Sequence, residues 1–150
     1  MTAKSNSIPD TLDRHLSANS RDDAPGVAAY VERGAALVTP EAIAALQRLR
    51  KPLHRKIDAL KESGHLRHRL ELLATYFEEA GADGHKGTSA HCDATLALLY
   101  FLKGFDRIPD SVPEVGLLDD AMIVQCVLQR NTTTFRAHWL RQRRSWPAEL

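Results

Sequence analysis

The chain alternates between segments where apolar residues recur every three or four positions and short polar links. From Ile43 the apolar series runs Leu46, Leu49, Leu53, Ile57 and Leu60, one face of a helix. Thr39 is placed to cap its start, with Pro40 at the first helical position and Glu41 in the first turn. Pro52 interrupts the segment but the phase carries through, which predicts one kinked helix ending near Gly64. Leu66, Leu70, Leu73 and Phe77 repeat the pattern, widened by Leu72 and Tyr76. The link GADGHKG follows, and Thr88 or Ser89 can cap the next helix. That helix is apolar almost all round from Ala94 to Leu102, so it belongs at the centre of the fold, with Gly104 as its end. Its neighbour runs from Leu117 to Arg130, and a last helix from Phe135 to Ser145 is stopped by Pro147.

Nothing alternates with the period of a strand. The expected fold is a small all-α domain around an apolar αα-hairpin of about 90–103 and 117–130, with Leu96, Leu99, Leu102, Ile123 and Val127 in its core. Residues 1–38 read as an N-terminal helical extension and 39–150 as the helical domain. In the extension IPDTLDRHL can start a short helix, and Ala24–Leu37 forms a second with poor apolar phase.

Composition changes this picture little. The 150 residues suffice for one domain and one core. Two cysteines, Cys92 and Cys126, exclude a disulfide scaffold and fit a reducing compartment. The opening MTAKSNSIPD lacks the apolar stretch of a secretion signal. The longest mostly apolar run, Ala94–Leu102, falls short of the ~20 residues a membrane-spanning helix needs. We therefore expect a cytoplasmic protein. Charge is uneven: residues 81–131 hold four Lys/Arg against seven Asp/Glu, whereas 132–150 hold four against one. Opposed blocks of this kind serve two partner surfaces or attract each other.

The acidic block centres on YFLKGFDRIPDSVPEVGLLDDAMIV. Pro109 disfavours helix at Ile108, Asp110 or Ser111 can cap the following turn, and Ser111 to Glu114 has capping-box spacing. Asp119 and Asp120 fall early in the second predicted helix, where its dipole favours carboxylates. On this account the acidic residues hold a turn together. Alternatively Asp106, Asp119 and Asp120 meet at one end of the hairpin and offer oxygen ligands to Mg²⁺ or Ca²⁺. The ordered residues Tyr100, Asp106, Ile108, Pro109, Asp110, Pro113, Gly116, Asp119 and Asp120 resemble the signature of the YkvA-like family of domains of unknown function, over residues 92–131. Where family members often carry Pro two residues before the first Asp, this chain has Gly104. The resemblance implies a paired-helix fold and, since many members are described as membrane proteins, a membrane-associated location. It implies no catalytic residue and no cofactor.

The C-terminal segment FRAHWLRQRRSW places Phe135, Trp139 and Trp146 on one predicted face, flanked by Arg136, Arg143 and Arg144. A terminal helix docking its aromatics on the core is expected; an anionic membrane surface or nucleic-acid phosphates are the alternatives, and four Arg are few for either. His91-Cys92-Asp93 combines a ligand, a thiol and an acid, ~20 Å along the helix from Asp106, and the two cysteines are expected to be buried and inert. His65 and His68, interleaved with Arg67 and Arg69, read as a solvated basic face. No zinc spacing, phosphate-binding loop or nucleophile elbow is present in the sequence. The functional expectation is a non-catalytic helical module that binds a protein partner or itself, without a cofactor. The rival is a divalent-metal-binding protein or small hydrolase using the hairpin carboxylates.

Overall fold

A computed structural model describes the backbone of residues 24–60, 65–82, 84–107 and 113–147, and the side chains of these residues outside 24–26 and 103–119. Seven helices make up the described chain: α1 Ala24–Ala36, α2 Pro40–Arg48, α3 Arg50–Asp58, α4 His65–Ala82, α5 Ser89–Arg107, α6 Pro113–Arg130 and α7 Thr132–Arg141. No strand occurs among the described residues, so the fold is all-α. The expected helix starting at IPDTLDRHL lies outside the described residues.

Thr39 caps α2, its hydroxyl accepting from the Ala42 N–H at 3.2 Å, with Pro40 at the first helical position. The expected kinked helix is instead two short helices meeting at Leu49, which leaves helical geometry at φ −95° and ψ 15°. Pro52 is the third residue of α3, where a missing N–H costs little, but its ring crowds the carbonyl four residues back, at Arg48. The apolar phase survives on both sides of the break, where Ile43, Leu46, Leu53, Ile57 and Leu60 are all buried, but the expected face position Leu49 is exposed at 36%.

α5 is the hub, packed against α1, α2, α3, α4 and α6. This follows from its all-round apolar sequence: Leu96, Leu98, Leu99 and Phe101 are each no more than 1% exposed. The five expected core residues are all buried, Leu99 and Ile123 at 1% and Leu96 and Val127 at 0%. α1 joins the same core through Val27, Tyr30 and Val31, and the Tyr30 ring meets Tyr100 edge-on at 5.7 Å. Lys56 reaches from α3 to donate to the Leu102 carbonyl at 3.1 Å.

The hairpin helices are longer than predicted. α5 runs through Gly104 to Arg107, and α6 begins at Pro113 rather than near Leu117. A glycine inside a helix costs only about 1 kcal/mol, which the packing of a central helix outweighs. The last helix is also shifted. It starts at Thr132, three residues before the predicted start, and it ends at Arg141. The chain then reverses at Arg143, whose φ is +59°, before Pro147 is reached.

Candidate functional site

The acidic tip is placed by its backbone. Asp106 lies in the last turn of α5, not beyond it. Asp119 and Asp120 are the seventh and eighth residues of α6, about 10 Å from its start, so they are not first-turn partners of its dipole. Pro113 and Gly116 occupy the first turn. The Asp120 side chain is 1% exposed. Pro109 and Asp110, and the side chains of Asp106 and Asp119, lie outside the described residues. Among the described residues no three His, Cys, Asp or Glu side chains gather where they could hold a metal ion.

The tail packs its aromatics inward. Phe135 is fully buried and Trp139 is 6% exposed. Tyr76 of α4 meets Phe135 at 4.7 Å and His138 edge-on at 5.1 Å. Trp146 does not lie on the α7 face, because the helix has ended. The turn at Arg143 brings it back against Trp139 with ring centroids 5.8 Å apart, and the Arg136 guanidinium sits over it at 5.5 Å. Arg144 covers the Trp139 ring at 4.6 Å and also donates to Glu79. Glu79 Oε1 accepts a second bond, from His138 Nε2 at 2.9 Å. Burial raises the Glu79 pKa, but the hydrogen bonds and positive charge of His138 and Arg144 outweigh it and hold the carboxyl below its ordinary range. Arg136 and Arg143 remain exposed.

The same end of the bundle holds a second polar cluster, of which pattern reasoning singled out Asp93 but not its partners Arg130 and Asn131. Asp93, on the second turn of α5, has a side chain only 2% exposed. Its Oδ2 accepts from Arg130 Nε at 3.1 Å and from Asn131 Nδ2 at 2.8 Å, while Oδ1 is buried without a hydrogen-bond partner. Asn131 Nδ2 also donates to the Val127 carbonyl at 2.9 Å. These bonds join the start of α5 to the end of α6. Burial lowers the Arg130 pKa, but its bond to Asp93 and that charge more than restore it, so the net shift is upward. The one available sequence signal was Asp93 itself, a carboxylate at the edge of an apolar run.

His91 closes the 84–88 link. Its Nε2 lies 3.0 Å from the Phe77 carbonyl and its Nδ1 accepts from the Gly87 N–H at 3.1 Å, which defines the neutral tautomer with hydrogen on Nε2. Its ring stacks on Phe77 at 4.9 Å. Burial is the main reason its pKa falls below the usual imidazole value. The cysteines are free and half-buried rather than fully buried. Burial pushes both thiols up, with Asp93 adding to the rise, so neither shows the lowered pKa of a reactive thiol. His65 and His68 are exposed, and Arg67 pairs with Glu71 at 3.1 Å and Asp58 at 3.4 Å, a solvated charged face.

Among the described residues an open groove of about 300 Å³ lies between α1 and α6. It is lined by Val27, Ala28, Met122, Gln125, Cys126 and Gln129, none of them charged. The four α6 residues fall at i, i+3, i+4 and i+7, one outward stripe, while Ile123, Val124, Val127 and Leu128 turn into the core. In the sequence the signal is the uncharged run between Asp120 and Arg130, which is too long for an ordinary solvated helix face. No helix among the described residues is long and apolar enough to cross a membrane.

The family described as "Protein of unknown function (DUF1232)" matches residues 94–125, from the second turn of α5 into the middle of α6. No curated protein and no solved structure matches the chain.

Proposed function

We propose that the chain is a non-catalytic helical interaction module and that the uncharged α1/α6 groove is its working surface. The carrying observation is the Met122, Gln125, Cys126, Gln129 stripe, open to solvent and without charge over two helical turns. Interface centres are depleted of charge and enriched in Met, which adapts its shape to a partner. A stripe at i, i+3, i+4 and i+7 beside a second helix is also the geometry that accepts an incoming helix. The family match covers Met122 and Gln125, and we infer that it marks the YkvA-like hairpin whose outer face forms one wall of the groove. The buried polar side chains point the same way: His91, Asp93 and His138 each join segments of the fold.

The first occupant to test is a second copy, because a stripe of amides and apolar groups is complementary to itself across a two-fold axis. Sedimentation equilibrium from micromolar to millimolar protein, with Cys126 cross-linking in a Cys92→Ser background, reads this directly. A dimer is expected, abolished by Met122→Arg while the helical circular dichroism of the fold is retained. If the chain stays monomeric, a photo-cross-linker at Gln125 in cells should give one discrete adduct that Met122→Arg removes. A monomer at every concentration together with no Met122-dependent adduct refutes the proposal.

A further inference from the structure

Because α7 turns Phe135, His138 and Trp139 inward, its outer face is left bare. Leu140 on that face is 76% exposed, against 36% for Leu49, the other exposed large apolar side chain among the described residues. One helical turn before it stand Arg136 and Ala137, both exposed. Arg141 and Arg143 follow, also exposed, and Trp146 returns half-buried beneath the Arg136 guanidinium at 5.5 Å. Residues 132–147 contain four Arg and no Asp or Glu. One of these cations, Arg144, is committed to Glu79. Arg136, Arg141 and Arg143 therefore stand within four residues of an exposed leucine, and Trp146 packs against Trp139 under Arg136.

A single exposed leucine is ordinary on a protein surface. A leucine within an all-cationic rim that also presents an indole is a more specific arrangement. It matches the two layers of a lipid interface, anionic phosphates over hydrocarbon, where Leu, Trp and Arg are the usual contact residues. Nucleic acid fits less well. A duplex offers Leu140 no apolar layer, and binding there draws on many phosphate contacts at once.

We propose that the outer face of α7 docks the chain on an anionic lipid surface, with Leu140 entering the headgroup–acyl boundary, Arg136, Arg141 and Arg143 on lipid phosphates, and Trp146 at the rim. This surface is distinct from the α1/α6 groove and does not depend on what the groove binds. The attachment is peripheral and salt-sensitive, since each basic side chain at an anionic surface strengthens partitioning about fivefold and one leucine adds a small apolar anchor.

The test is cosedimentation of the full chain with vesicles of phosphatidylcholine alone and with vesicles of equal parts phosphatidylcholine and phosphatidylglycerol. Binding is expected only to the anionic vesicles, and lost in molar salt. Arg136→Gln and Arg143→Gln should each weaken it about fivefold. Leu140→Asp should weaken it by more than about fivefold without lowering the melting temperature, because that side chain is exposed. Tryptophan emission should shift to the blue on binding, and Trp146→Phe should remove the shift. Three results overturn the proposal: no preference for anionic vesicles, binding unchanged by Leu140→Asp, or full competition by glycerol phosphate or a short DNA duplex, which would assign the site to phosphate alone.

Discussion

Exchanging Arg130 for Met tests the link between the ends of the hairpin helices, because its two partners differ sharply in burial. The Asp93 side chain is 2% exposed and that of Arg130 34%. Arg130→Met keeps the aliphatic stem but leaves a buried carboxylate with Oδ1 unpaired and Asn131 as the remaining donor to Oδ2. Stranding a buried charge in this way costs about 3 kcal/mol or somewhat more. Asp93→Asn is nearly isosteric, still offers Asn131 an acceptor, and leaves Arg130 able to turn towards water. Its cost is about 1 kcal/mol, kept low because Arg130 is a third exposed. The double variant buries a neutral amide in place of the stranded carboxylate. It should therefore be more stable than Arg130→Met alone, by about 1–2 kcal/mol. Urea unfolding with equal m-values measures all four proteins, and for a chain of this size Arg130→Met should lower the melting temperature by about 10 °C. If the double variant is no more stable than Arg130→Met, Asp93 is not the buried, paired carboxylate described here.

Leu99→Ala removes a side chain 1% exposed at the centre of α5 and should cost about 2–5 kcal/mol by chemical denaturation. His91 has a folded pKa below its ordinary 6.5, so the unfolded chain takes up its proton first as pH falls. Its contribution is complete above about pH 6.5 and declines from there towards its lower folded pKa, so His91→Gln should flatten that part of the stability profile. Glu79 also has a lowered folded pKa, so its contribution is present above the ordinary glutamate value and lost at more acid pH. Glu79→Gln should loosen the returning tail, read as faster proteolysis after Arg143 and greater quenching of Trp146 fluorescence by iodide. For the hairpin carboxylates, the melting temperature of the wild type should be the same with and without Mg²⁺ or Ca²⁺. A rise that Asp119→Asn removes would make the tip an ion site.

Most of the α-helical layout was legible along the chain because helices are local. The backbone bonds residues four apart, and the apolar face repeats every three or four positions. Ile43, Leu46, Leu53, Ile57 and Leu60 marked a buried face despite the break at Leu49, and the run from Ala94 to Leu102 marked the central helix before any packing was known. Thr39 with Pro40 located a helix start for the same local reason. Of the tail, the burial of Phe135 and Trp139 could be read from their spacing.

Tertiary structure decided whatever depends on segments distant in sequence. Local preference marked Gly104 as an end, yet the helix continues through it, because a central helix gains more from packing than one glycine costs. Asp93 finds Arg130 and Asn131, and Glu79 finds His138 and Arg144, only once four helices converge at one end of the bundle. The return of Trp146 depends on one left-handed residue, Arg143, and on the Trp139 face waiting for it. The α1/α6 groove is also a product of packing. Periodicity assigns Met122, Gln125, Cys126 and Gln129 to one face, but only the position of α1 beside them makes that face one wall of a groove. Pattern along the chain thus determined which residues turn inward, and the meeting of helices determined which outward residues stand together.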